Sequence, residues 1–288
     1  MSKNRATETI EQIELSQLHP FPDHPFGVRD DEAMEQTVES IREYGVLVPA
    51  IARPREDGGY ELIAGHRRKH ACELAGRETM PVIVRDIDRN TATIIMVDSN
   101  LQRENILPSE RAKAYKMKLE AIKRQGARHD LTSTQIAQKL SVEKVAEEAG
   151  TSKDQVRRYI RLNELEPELL QMVDEGKIGM TPAVEISYLK PEEQKLLIET
   201  IDSEQATPSF SQAQRMKRLS QEGKLNDDAM LDIMMEQKKP ENWDLKLPMD
   251  KIRKYFQRSY TPQRMEETII KLLDMWMKQQ KKKRDQQR

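Results

Sequence analysis

Up to about residue 107 the chain interleaves short alternating runs of hydrophobic and polar positions with runs at helical spacing. "ETIEQIELSQL" at 8–18 alternates as a half-buried strand does, and "VLVPAIARP", "GYELIA" and "PVIVRDI" are short apolar segments with the length and β-branching of strands. Between them "DEAMEQTVESIREYG" places Met34, Val38 and Ile41 on one helical face, with Gly45 as its stop. Further helices are predicted from about His66 and from about Thr91 to Glu104, and the proline-rich "HPFPDHPF" reads as a loop. This alternation predicts a small mixed α+β domain over residues 1–107.

After Pro108 the strand patterns stop. "SERAKAYKMKLEAIKRQG" opens on Ser109 and closes at Gly126, polar "ARHDLTST" reads as a loop, and short helices follow to about residue 201. Residues 108–204 are therefore expected to form an all-helical domain. "DSEQATPSFSQ" begins a region of linker and helices over 205–249, and "KKPENWDLKLPMD" marks a second boundary. The segment 250–288 holds one strong helix from about Pro262, with Ile269, Ile270, Leu272, Leu273 and Trp276 as its apolar stripe.

Composition narrows the functional classes. With 34% charged and 36% hydrophobic residues, the 288-residue chain suits helical lobes joined by exposed connections better than one large globule. Its net charge of −1 conceals three basic islands, "HRRKH", "VRRYIR" and "KKKRDQQR". Such islands decide whether a polyanion binds. Cys72 is the only cysteine, which excludes an intrachain disulfide and a thiolate zinc cluster and makes a reducing cytoplasm the natural setting. No apolar run approaches the roughly 20 residues of a membrane span, and "MSKNRATETIEQ" lacks the pattern of a secretory signal. No membrane association is expected.

Three segments carry candidate chemistry. In "YELIAGHRRKHACELAG" at 60–76 a strand ends at Gly65 and a helix begins with basic residues. Free N–H groups at a helix start favour an anion, and arginine forks suit phosphate oxygens. Gly65, His66, Arg67, Arg68 and His70 thus form a candidate anion site, against the bland alternative of a solvated helix face paired with acidic neighbours. "VDSNLQRENILPSERAKAY" at 97–115 gathers Asn100, Gln102, Arg103 and Glu104 at a helix end. "VEKVAEEAGTSKDQVRRYIRL" at 142–162 fits a helix-turn-helix: Val145 and Ala146 pack the first helix, Gly150 turns the chain, Thr151 or Ser152 caps the second helix, and Val156 and Tyr159 anchor it. Ser152, Lys153, Arg157, Arg158 and Arg161 are expected to face outward and, with Gln155, to meet base edges and phosphates in a major groove. His19, His24 and His129 read as ordinary loop histidines.

In content and order these segments resemble the ParB family of DNA-partition proteins. The family's "IAGERRxRA" box is matched by "IAGHRRKHA", its "ENxQRxxLxPxExAxAY" by "SNLQRENILPSERAKAY", and its "SIxExGxxQP" by "SIREYGVLVP". The resemblance implies an α+β fold, with a ParB/sulfiredoxin-like N-terminal domain, a helix-turn-helix domain and a C-terminal helical segment suited to dimerisation. It further implies CTP as ligand, with Gly65, Arg67 and Arg68 on the phosphates, Asn100 beside Mg²⁺ and Gln102 and Arg103 completing the second box. A homodimeric clamp on double-stranded DNA at a centromere-like site, a partition ATPase as partner and a place on the nucleoid belong to the same expectation.

Departures qualify it. His66 stands for the box glutamate, His70 for its last arginine, Ser99 for the metal-side glutamate, Val48 for a glutamine, and "FPDHPF" for "NPxQPR". Ser99 offers Mg²⁺ no anionic oxygen, so weak CTP turnover at most is expected. Protonation of His66 and His70 near pH 5.5 should tighten phosphate binding, because free imidazoles titrate near about 6.5. Rival classes are a helix-turn-helix transcriptional regulator, a sulfiredoxin-like enzyme, whose reactive cysteine would fall on Gly65, and a nuclease, for which no carboxylate cluster flanks the box.

Overall fold

The computed structural model describes residues 9–103, 106–127, 142–236, 252–257 and 259–286. Expected features that lie outside these are the helix end at Glu104, the loop around His129, and the boundary at 238–250. Residues Met1–Glu236 form one unit and Gln237–Arg288 another.

The first unit opens with a five-stranded mixed sheet of order β1-β5-β3-β4-β2. Its strands are β1 (Ile10–Glu14), β2 (Leu18–Pro20), β3 (Ala50–Pro54), β4 (Tyr60–Ala64) and β5 (Thr79–Val84). The strand expected over 8–18 stops at Glu14, and a second begins at Leu18 and takes in His19 and Pro20 of the expected loop. The chain breaks at Leu15–Gln17, where the Leu15 amide donates to the Glu78 carbonyl, and β1 and β2 end on opposite edges. Four residue steps span at most about 14 Å, whereas a flat sheet would separate its outer strands by about 19 Å. The sheet must therefore curl, as a half-barrel does.

Both faces of that sheet are covered. Leu62, Ala52, Met80 and Val82 pack with Met34, Val38 and Ile41 of α1 (Glu32–Tyr44) and with Ala71 and Cys72 of α2 (His66–Leu74). On the other side Ile63 packs with Phe21, Phe26 and with Ala92, Met96 and Val97 of α3 (Arg89–Leu101). The alternation of β4 thus sorts Leu62 and Ile63 between two apolar layers. Helix α3 begins at Arg89, earlier than expected, because Asp88 accepts the amides of Asn90 and Thr91 and acts as its cap.

Helix α4 (Pro108–Ala127) leads into the helical part. Ser109 does not cap it. Its amide and hydroxyl bind Asp174 instead. Residues 142–148 form α5 and Lys153–Arg161 α6. Then follow α7 (Pro167–Asp174), α8 (Met180–Ile186), α9 (Pro191–Glu204), α10 (Phe210–Gln221) and α11 (Asp227–Met235). One apolar core runs from Ala112 and Leu162 through Leu197 and Ile201 to Met216 and Met234. Helices α10 and α11 are therefore continuous in packing with the segment that precedes them, and only the short stretch around Gln205 separates α9 from α10.

In the second unit α12 spans Pro262–Gln286. Its Ile270, Leu272, Leu273 and Trp276 are all more than half exposed.

Candidate functional site

Strand β4 ends at Gly65, whose backbone is left-handed at φ 112° and ψ 18°. A Cβ there would lie 2.9 Å from that of Ala50 on β3. Only glycine lets the chain turn from strand into α2 this close to the neighbouring strand. Gly65 has no side chain with which to cap α2, so the N–H donors of the first turn and the positive end of the helix dipole remain for a ligand.

The basic residues that follow are placed unequally. Arg67 lies 3.0 Å from Asp31, the residue that caps α1, and holds its carboxyl below the usual carboxylate range. Arg68 reaches back to the Val48 carbonyl and, at 2.8 Å, to that of Pro49, fixing the loop before β3. His70 pairs with Asp30 at 2.7 Å and Lys69 with Glu73 at 2.8 Å. Arg103, just past α3, completes the group. Its proton affinity is lowered first by burial and then by Arg67, with Arg68 adding to the effect and Glu110 opposing it. The exposed Arg103 guanidinium is thus repelled by Arg67 and Arg68 of a distant segment, and a polyanion would relieve that repulsion.

The structure adds a residue that sequence reasoning passed over. His24 stacks on His66 with ring centroids 3.8 Å apart, and its Nδ1 lies 2.8 Å from the Phe26 carbonyl. Neither Nε2 has a hydrogen-bond partner, although both are buried. The one available signal was the place of His24 in "FPDHPF", aligned with the family's proline-bounded element.

This stack corrects the expected role of His66 as an acid-charged phosphate ligand. Burial, then His24 and Arg103, push its pKa down to about 3. It stays neutral at pH 5.5, and His70 already faces Asp30. The consequence is on stability. A histidine whose folded pKa lies below its unfolded value stabilises the fold fully above the unfolded pKa, near about 6.5, and loses that contribution as pH falls toward the folded value. Between pH 8 and pH 5.5 His66 should cost the fold roughly 1 kcal/mol. His24, lowered mainly by burial, acts in the same direction. Urea unfolding at both pH values should show this loss, and His66→Gln should reduce it; an unchanged pH dependence in that variant would rule out the stacked neutral imidazole as its source.

On α3 Asn100 is buried and donates to the Met96 carbonyl at 2.8 Å. The Ser99 hydroxyl also turns back to Met96, at 2.9 Å, while Gln102 is exposed at the helix end. Asp98, the carboxylate next in sequence, is bound to Lys118. Among the described residues no three histidine, cysteine, aspartate or glutamate side chains group as metal ligands. The donors present fit phosphate oxygens. They do not fit a divalent cation held by the protein alone.

In the helical part the expected helix-turn-helix is formed. The Gly150 amide donates to the Glu147 carbonyl and that of Thr151 to Ala146, closing α5. Ser152, rather than Thr151, caps α6, accepting the Gln155 amide at 3.1 Å. Val156 is fully buried against Val145 and Ala146, and Tyr159 packs beside them. Ser152, Lys153, Gln155 and Arg157 are exposed, Arg157 lying 3.3 Å from Asp154 and Lys153 3.8 Å from Glu143. Arg158 is half-buried and donates to the Thr181 hydroxyl at 2.8 Å. Arg161 departs from the outward direction expected of it. It donates to the Ser187 hydroxyl at 3.1 Å and carbonyl at 2.6 Å and lies 4.1 Å from the centre of the Tyr188 ring. One turn past Arg158, it faces α8, and sequence periodicity cannot show where a neighbouring helix will lie.

Comparisons with known proteins agree with this two-part layout. The family model of the ParB N-terminal domain matches residues 1–101, and that of the ParB HTH domain matches residues 104–221. The chain is 35% identical over 173 residues to the stage 0 sporulation protein J of Bacillus subtilis, covering 60% of this chain and 55% of that protein. It is 32% identical over 184 residues to the chromosome-partitioning protein Spo0J of Thermus thermophilus, covering 64% and 62% respectively. A nucleoid occlusion protein of Bacillus pumilus is 31% identical over 217 residues, covering 74% of this chain and 69% of its own. The chain thus spans 55% and 62% of the length of the first two relatives.

Proposed function

Because the chain belongs to the ParB family of DNA-partition proteins, we propose that it is a sequence-specific DNA-binding partition factor with a CTP-responsive N-terminal domain. The observation that carries the nucleotide half is the cradle at Gly65. A helix start pressed against β3 meets Arg103, which both Arg67 and Arg68 repel. A triphosphate supplies the charge and the several oxygens that such a cradle lacks. The exposed polar face of α6, capped by Ser152, supports the DNA half, since Arg157 and Gln155 stand free of the core.

The finer parts follow from the same premise. Double-stranded DNA at a centromere-like site is the partner of α6, and the chain acts as a homodimeric clamp, with the exposed apolar stripe of α12 as a dimer contact. A partition ATPase is its second partner, on the nucleoid. Mg²⁺ would reach the nucleotide through phosphate oxygens with Asn100 beside it, so turnover is slow.

Sequencing of DNA crosslinked to the protein in cells, with titration of labelled CTP against wild type and Arg67→Ala, tests the proposal. One or a few peaks with spreading flanks, and saturable CTP binding weakened at least tenfold by Arg67→Ala, are the expected results. Scattered promoter peaks would instead make it a regulator, and no saturable CTP binding in the presence of cognate DNA would remove the nucleotide switch. Deleting residues 246–288 should lower the mass seen by light scattering.

A further inference from the structure

Lys118 of α4 is fully buried, although lysine is among the residues least often found so. Its ammonium pairs with Asp98 on α3 and, at 2.7 Å, with Glu148 at the end of α5. The two carboxylates are each more than a third exposed, so the cation, not the acids, is sealed in. Tyr115, Leu119 and Ile122 of the same helix belong, with Val142, Val145 and Ala146 of α5, to one buried apolar cluster.

The two partners stand in different functional segments. Asp98 precedes Ser99 and Asn100 in the second nucleotide-box segment, and Glu148 belongs to the first helix of the helix-turn-helix. We infer that Lys118 is a charge latch that couples the nucleotide box to the DNA-reading unit. A buried ammonium that loses one of two carboxylates is left under-compensated, which loosens the packing that seals it, α5 included. A displacement of the last turn of α3 is therefore felt at α5 through a single atom, Nζ, and displacement of α5 by DNA is felt at α3. Linkage requires the effect to be equal in both directions. Lys118 touches neither ligand and is a positioning residue.

The ligand half of this inference rests on the function proposed above; the latch itself does not, and a ligand-free measurement tests it. Amide hydrogen exchange over residues 142–148 should speed up at least threefold in Asp98→Asn, although Asp98 lies on α3. In a Lys118→Met background the same substitution should have no effect. If Lys118→Met does not fold, the cycle of Asp98→Asn and Glu148→Gln replaces it, and the two substitutions should be non-additive in their effect on that exchange. Wild-type exchange over 142–148 in Asp98→Asn would overturn the latch. With ligands, Lys118→Met should bind CTP and cognate DNA separately while neither changes the affinity of the other. Retained mutual dependence in that variant would also overturn it. Absence of CTP binding by the wild type would count against the nucleotide site alone, since the exchange experiment still decides the latch.

Discussion

Gly65→Ala is expected to destabilise the chain by roughly 2–5 kcal/mol, the sum of a left-handed backbone penalty and overpacking, and to abolish saturable CTP binding. The backbone at φ 112° is one that a side chain rarely adopts, and the new methyl would meet the Ala50 Cβ at 2.9 Å. Relief requires β3 and β4 to separate or α2 to rotate, and either movement takes the first-turn amides away from the place where Arg67 and Arg103 converge. Gly58 provides the control. Its φ is 89°, but nothing lies within 4 Å of a Cβ there. Gly58→Ala should therefore show the backbone penalty alone, about 1–2 kcal/mol, and keep CTP binding. Thermal unfolding and labelled-CTP titration of both variants measure the difference. Equal behaviour of the two would mean that the contact with β3 does not shape the cradle.

The second large effect is expected at α6. Arg157→Ala with Arg158→Ala should weaken binding to the cognate site by roughly 2–6 kcal/mol, taking 1–3 kcal/mol for each arginine that reads a base. Binding to unrelated duplex should fall much less, so the specificity ratio collapses. Lys153→Ala, if its ammonium meets phosphate, should weaken both sites alike and reduce the salt dependence by about one ion. Arg161→Ala should behave differently, because its guanidinium is committed to the Ser187 hydroxyl and carbonyl and to the Tyr188 ring, whereas Arg158 donates to the Thr181 hydroxyl of α8. Its loss should appear as a lower melting temperature. Fluorescence anisotropy with cognate and scrambled duplexes over a salt series separates these outcomes. Full cognate selectivity in the double variant would remove α6 as the reading helix.

What the sequence determined by itself is what short-range physics controls. The turn from β4 through Gly65 into α2, the cap of a second helix just after Gly150, and the apolar stripe of α12 are local patterns of three to a dozen residues. Each is set by backbone sterics or by periodicity within one element. The order of the two candidate boxes and the helix-turn-helix was equally legible, since their spacing along the chain is sequence information.

Only the tertiary structure decided what depends on segments far apart. The split of 8–18 into β1 and β2 follows from pairing with β5 on one edge and β4 on the other, which no local propensity encodes. The fates of the basic residues are of the same kind. Arg67 is taken by Asp31, Arg68 by the Val48 and Pro49 carbonyls, and Arg161 by Ser187, partners 36, 20 and 19, and 26 positions away. His24 and His66 looked like a loop histidine and a titrating ligand, but the two rings meet and their Nε2 atoms are buried. Lys118 is fully buried because Asp98 of α3 and Glu148 of α5, segments that precede and follow its own helix in the chain, both meet its ammonium. Charge type and helical phase can be read along a chain; whether a charge meets water, a carbonyl or an opposite charge is set by which surfaces the fold brings together.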